Sequence, residues 1–131
     1  MRVFVYGTLK PGGHYYQSIC QNKISGFQEA KLLGTLYDLG EGYPAIQIGG
    51  LRWVYGYVLH FQSEEILQQL DALEDYEKSR SPSENTYQRI RVTVYDLQEY
   101  CLGKMDTYVM EEEQLSRYQW RRIPSGNWPL I

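Results

Sequence analysis

Cysteine and histidine are scarce in this chain, with two of each in 131 residues. Cys20 and Cys101 stand far apart in sequence, as do His14 and His60, and no pair has metal-ligand spacing. A structural zinc is therefore not expected, and the cysteines read as isolated thiols rather than a disulfide. Long apolar runs are missing too, so no segment qualifies as a membrane-spanning helix. The N-terminus passes straight into Arg2-Val3-Phe4-Val5-Tyr6, without the basic and apolar regions of a secretion signal, and the expectation is a cytoplasmic protein. Basic clusters are lacking: net charge is −3 and the longest Lys/Arg run is the pair Arg121-Arg122. Nucleic-acid capture needs a basic stripe, so that class is disfavoured. The sequence has no Gly-Lys-Ser/Thr phosphate loop, no dinucleotide fingerprint and no Gly-x-Ser-x-Gly elbow. What remains is a chain with no signature of a cofactor.

Core material is plentiful. Hydrophobic residues make up 43% and aromatics 15% of the chain. A domain of this length buries about two-thirds of its unfolded surface and needs no metal or disulfide staple. With no linker, repeat or low-complexity tract, residues 1–131 read as a single domain. Tyrosine dominates the aromatics, 13 against three Phe and three Trp. That usage points to a β-rich fold, with a Tyr-lined binding face as the alternative.

Strand patterns run over Arg2–Tyr6, Leu32–Leu39, Ala45–Ile48 and Val54–Phe61, separated by Gly-Glu-Gly and Gly-Gly turns. Ser63 can cap a helix in which Ile66, Leu67, Leu70 and Leu73 recur at helical spacing. Lys78–Asn85 reads as an exposed loop. Tyr87–Leu97 alternates, with Ile90, Val92 and Val94 on one face, and Met105–Met110 can pair with it. The tail, Arg122–Ile131, should be irregular. Many short strands and one good helix predict an α+β fold, with a small, mostly antiparallel curled sheet or β-barrel.

Glu74 is the informative residue. At 100° per residue the apolar positions Leu73, Ile66, Leu70 and Leu67 span an arc of about 120°, and Glu74 falls inside it. Asp71 falls just outside, and Asp75 on the far side, so both should stay in water. Burial and the helix C-terminal dipole both raise a carboxyl's pKa, which suits it to proton transfer near neutral pH. The alternative is a packed Glu paired with Arg89 or Arg91. A second feature is the strand end Val5-Tyr6-Gly7-Thr8-Leu9, followed by Lys10-Pro11-Gly12-Gly13. Free amides at such a turn suit an anion, and an ordinary hairpin is the plainer reading. His14 and His60 have no nucleophile partner in sequence and read as structural.

Val3-Phe4-Val5-Tyr6-Gly7-Thr8-Leu9 resembles the Tyr-Gly-Thr/Ser-Leu signature of the gamma-glutamylcyclotransferase-like family. Leu70-Asp71-Ala72-Leu73-Glu74 with Tyr87-Gln88-Arg89 resembles its Leu-Asp-x-x-Glu and Tyr-x-Arg segments. Tyr43-Pro44-Ala45, Gly56-Tyr57-Val58 and Ser125-Gly126-Asn127-Trp128 fall in the same order, with Asn127 where many members carry Asp. The small gamma-glutamylamine cyclotransferase branch is the most similar. The resemblance implies an enzyme that releases 5-oxoproline from a gamma-glutamyl amine or amide, a small molecule, without cofactor or metal. It implies Glu74 as the acid/base, and the Tyr6-Gly7-Thr8-Leu9 turn as the holder of the substrate carboxylate. Tyr87 would offer a hydroxyl at the rim and Arg89 would support the site. A non-catalytic metabolite-binding or protein-interaction domain on the same fold is the competing reading. The leaving amine and the oligomeric state are left open.

Overall fold

The computed structural model describes residues 1–129. Six strands carry the chain: β1 Arg2–Val5, β2 Ile24–Asp38, β3 Pro44–Phe61, β4 Gln88–Tyr95, β5 Cys101–Val109 and β6 Arg121–Arg122. Two α-helices, α1 Ile66–Leu73 and α2 Glu112–Leu115, accompany them, with a π-helical turn at Tyr16–Cys20. Strands follow the order β3-β1-β5-β4-β2-β6, and β2 also pairs with β3. That last pairing closes β1 to β5 into a five-stranded barrel, with β6 as a flap on β2. The α+β barrel expected from the strand pattern is the fold observed. All pairings are antiparallel except β1 with β5.

The β2–β3 hairpin is the longest feature, and two glycines shape its turn. Gly40 and Gly42 sit at φ of 76° and 91°, a region that residues with a Cβ enter at a cost. The separate strands expected at Ala45–Ile48 and Val54–Phe61 are one strand. Gly34 pairs with Ile48 and the neighbouring Leu33 pairs with Trp53, so residues 49–52 loop out and the ladder resumes. Gly49 and Gly50, both at positive φ, let the chain make this excursion without ending the strand. β2 likewise starts at Ile24 rather than Leu32; its first half is largely exposed, with no buried face for the apolar pattern to mark.

The strand register divides the core in two. Phe4, Leu32, Leu36, Ile46, Val54, Val58, Val94 and Met105 are buried together and come from all five barrel strands, filling the interior. Val3, Val5, Leu59, Ile66, Leu70, Tyr87 and Tyr108 form a second cluster between the barrel wall and α1. β1 is thus buried on both faces, as its unbroken apolar run predicts. β4 departs from expectation at one point: Val92 and Val94 are buried, whereas Ile90 is exposed.

Helix α1 starts at Ile66, although Ser63 Oγ does accept the Glu65 amide at 3.2 Å. The segment from Lys78 to Asn85 is mostly exposed, with a 3₁₀ turn at Pro82–Glu84. Asn85 is the exception, buried through hydrogen bonds to the Glu77 amide (3.0 Å) and carbonyl (3.1 Å). Arg122, expected in an irregular tail, belongs to β6, whose partners are Tyr37 and Asp38. Leu130 and Ile131, also assigned to that tail, lie outside the described residues. No described helix is long and apolar enough to cross a membrane.

Candidate active site

The end of α1 fixes where Glu74 stands. Glu74 is the residue that closes the helix, at φ −87° and ψ 3°, and Asp75 follows in the left-handed region at φ 52°. The Tyr76 amide reaches back to the Asp71 carbonyl (2.9 Å) and the Asp75 amide to that of Ala72 (3.3 Å). This pair of bonds is the Schellman ending, formed with Asp where glycine is usual. Side-chain ties hold Asp75 in place: Thr86 Oγ1 donates to Oδ2 at 2.7 Å and Arg80 to Oδ1 at 3.0 Å. Helix end and α1's apolar stripe together direct the Glu74 carboxyl inward.

It faces a cavity of about 280 Å³ lined by β1 and its turn, the start of β3, the end of α1, and Tyr87 and Tyr108. Tyr6, Gly7, Thr8, Leu9, Glu74 and Tyr87, the sequence-predicted residues, all line it. Arg89 does not. Its guanidinium lies one layer back, 2.9 Å from Asp71 and 3.6 Å from Asp106, so it contacts the site only through Asp71. Asp71, expected in water, is three-quarters buried: it also accepts the Tyr108 hydroxyl at 2.6 Å. Tyr87 is not at the rim. It is buried and its hydroxyl donates to the Pro44 carbonyl at 2.6 Å.

Among the described residues the Glu74 carboxyl has no hydrogen-bond or ion-pair partner. Arg89 is taken by Asp71, and Arg91 donates to the Lys104 carbonyl, so the packed-pair alternative fails. Burial raises the Glu74 pKa from 4.5 to about 7. The cause is loss of water, which penalises the charged form. The phenols around it move the other way from reactivity. Burial and the nearby Glu74 carboxylate raise Tyr6 and Tyr87, Tyr43 is pushed up to about 12, and Tyr108 is raised by burial and its bond to Asp71. Tyr6 is further committed, donating to the Tyr108 carbonyl at 2.7 Å. These hydroxyls stay protonated at neutral pH. Glu74 is the cavity group able to gain and lose a proton there.

Opposite stands the turn after β1. The amides of Gly7, Thr8 and Leu9 donate to no protein acceptor among the described residues, while the carbonyls of Gly7 and Thr8 are taken by the Lys10 and Tyr15 amides. Unpaired neighbouring N–H groups form a concavity suited to an anion. Glycine at position 7 is required by a neighbour rather than by a positive φ. A Cβ there would lie 2.7 Å from Pro44 Cγ. Sequence reasoning missed Tyr108, Tyr43 and Tyr15 as lining residues, and the Asp71–Arg89 pair behind them. For Tyr108 the strand alternation over Met105–Met110 was an available signal. Among the described residues no group of three or more His, Cys, Asp or Glu could hold a metal ion.

A family model described as "Gamma-glutamyl cyclotransferase, AIG2-like" matches residues 3–130. A Vibrio cholerae protein named "Putative gamma-glutamylcyclotransferase" is 41% identical over 73 residues, which are 56% of this chain and 61% of that relative. An AIG2-like protein from Mus musculus has a solved structure that matches with TM-score 0.60 at 25% identity, over 87% of this chain and 81% of that one. YkqA from Bacillus subtilis shares the fold at TM-score 0.64 and 22% identity. That match covers 97% of this chain but 39% of the other, so this chain spans well under half of that protein.

Proposed function

The chain belongs to the gamma-glutamyl cyclotransferase, AIG2-like family, and from that premise we propose that it releases 5-oxoproline from a small gamma-glutamyl amine or amide. The observation that carries the reading is the Glu74 carboxyl, unpaired among the described residues in a cavity wall, with a pKa raised by burial to about 7. A carboxyl of that pKa is ionised in a large fraction of molecules at neutral pH, yet basic enough to accept a proton and acidic enough to return it.

The substrate's α-carboxylate sits on the amides of Gly7, Thr8 and Leu9, which places its α-ammonium towards Glu74. Glu74 takes a proton from the ammonium. The freed amine lone pair attacks the γ-carbonyl carbon, the new C–N bond closes a five-membered ring, and a tetrahedral intermediate forms. Glu74 returns the proton to the leaving nitrogen and the original C–N bond breaks. Glu74 then takes the second proton from the ring nitrogen, which attack has left cationic, and hands it to the departing amine, so that 5-oxoproline and an ammonium product leave and the carboxylate is restored. The proton and bond counts close without water or an outside nucleophile. Because attack is intramolecular, the protein's main task is to hold the folded substrate, and a compact cavity suits it. Tyr6 and Tyr87, whose hydroxyls are committed to backbone carbonyls, shape the wall.

The test is incubation with gamma-glutamylalanine, ε-(gamma-glutamyl)lysine and gamma-glutamylmethylamide, followed by mass spectrometry for 5-oxoproline. Product with the wild type, and about 10²–10⁴-fold slower release with Glu74→Gln, is the expected result. Tight binding of these compounds without product from any of them would replace the enzyme reading with a metabolite-binding domain.

A further inference from the structure

Lys10 is a cation with an uncommon setting. Its side chain is buried, 3% exposed, and its partners among the described residues are neutral: the Trp128 carbonyl at 2.6 Å and Asn127 Oδ1 at 3.1 Å. Burying an ammonium without a carboxylate is costly, so its retention asks for a reason. Removal from water also lowers its pKa. An aliphatic side chain would fill the same space with less penalty.

The backbone around Lys10 supplies the reason. Its amide donates to the Gly7 carbonyl at 3.1 Å, and its carbonyl accepts the Gly13 amide at 2.6 Å. The residue that closes the turn therefore also reaches into the C-terminal segment. That segment is itself fastened to the barrel. The Ile123 amide donates to the Leu36 carbonyl (2.8 Å) and the Tyr55 amide to the Gly126 carbonyl (2.8 Å). Gly126, at φ 71°, lies so close to β3 that a Cβ would overlap the Trp53 carbonyl oxygen at 2.0 Å. A continuous path thus runs from the barrel wall through the tail and Lys10 to the turn with the unpaired amides.

We propose that Lys10, Asn127 and the Trp128 carbonyl form a latch that positions the Gly7–Leu9 amides, making the C-terminal segment a determinant of substrate affinity. The latch rests on the carboxylate-binding role given to that turn under the proposed function. Lys10 is a positioning residue, since it is not among the cavity's lining residues.

Lys10→Met keeps the stem and removes the ammonium, Asn127→Leu removes one acceptor, and Asn127→Asp keeps it. The carboxylate is held in both ground and transition states, so losing its seat raises KM with little change in kcat. KM should rise roughly tenfold in Lys10→Met and Asn127→Leu and stay near the wild-type value in Asn127→Asp. Amide hydrogen exchange gives a second readout that needs no turnover. Exchange at the Lys10 and Tyr15 amides, bonded to the Gly7 and Thr8 carbonyls, should quicken in the first two variants while the β2–β3 ladder is unaffected. Unchanged exchange there overturns the latch, as does a loss confined to melting temperature and kcat at wild-type KM. A wild type that releases no 5-oxoproline sinks the cyclotransferase reading instead, and the exchange data then decide the latch by themselves.

Discussion

Asp71 and Glu74 leave the same end of one helix, one turn apart, and meet opposite surroundings. Asp71 is held by the Arg89 guanidinium and the Tyr108 hydroxyl, with its charge and hydrogen-bonding capacity both met. Glu74 meets a cavity walled largely by tyrosine, proline and leucine, with no cation among the described lining residues. The same functional group is thus a brace in one case and, in the proposed reaction, the proton carrier in the other. The difference lies in the partners that β4 and β5 deliver to one and withhold from the other. Arg89 follows Tyr87 by two residues along the chain, so both side chains point to the α1 side, but its reach ends at Asp71.

The widest separation between the two should come from neutralising each carboxylate in turn. Glu74→Gln preserves shape and removes proton transfer, so turnover should fall by about 10²–10⁴-fold with the fold retained. Asp71→Asn should cost turnover no more than about tenfold. Steady-state kinetics on the same substrate compares them directly, and equal losses would erase the distinction.

A second effect reverses the usual expectation that losing a native carboxylate destabilises. Glu74's folded pKa, about 7, lies above its ordinary 4.5. Below about pH 4.5 the group is protonated in folded and unfolded chains alike. As pH rises towards 7 the unfolded chain releases this proton first, so stability drains away through that window. Glu74→Gln removes the dependence. It should be more stable than wild type by roughly 1–3 kcal/mol at pH 8 and nearly equal to it at pH 4. Urea melts at the two pH values read the difference.

The third effect is comparable or smaller. Asp71→Asn breaks a partly buried, charge-assisted contact and should cost roughly 1–3 kcal/mol of stability, seen as a few degrees in Tm. It should also loosen the helix end and lower kcat up to about tenfold, since a small displacement of a proton carrier is felt in the rate.

Part of this contrast was legible in the sequence. Helical spacing alone put Glu74 on the apolar face of α1, and the strand-then-glycine pattern marked the turn that shares its cavity. Asp71 was misjudged because its partners, Arg89 and Tyr108, lie 18 and 37 residues along the chain. A helical wheel sees only one helix. Tyr87 was placed at a rim because sequence gives its chemistry and not its depth; the Pro44 carbonyl that captures its hydroxyl is 43 residues away. The left-handed Asp75 carries no local mark, since an exposed Asp after a helix resembles any other polar residue. Gly7 is visible in the sequence as the glycine that follows the first strand, but the reason for it is not. Its missing side chain makes room for Pro44, a contact that only the closed barrel creates.

Direct titration of Glu74 tests the central claim most closely. With the side-chain carboxyls labelled with ¹³C, and the Glu74→Gln variant used to assign the resonance, the Glu74 shift can be followed from about pH 3 to pH 9 without substrate. A midpoint at about 7 is the result expected from its burial, and the acid limb of kcat/KM should share that midpoint. A midpoint near 4.5 would mean that Glu74 is an ordinary solvated carboxylate and that the proton is carried by another group.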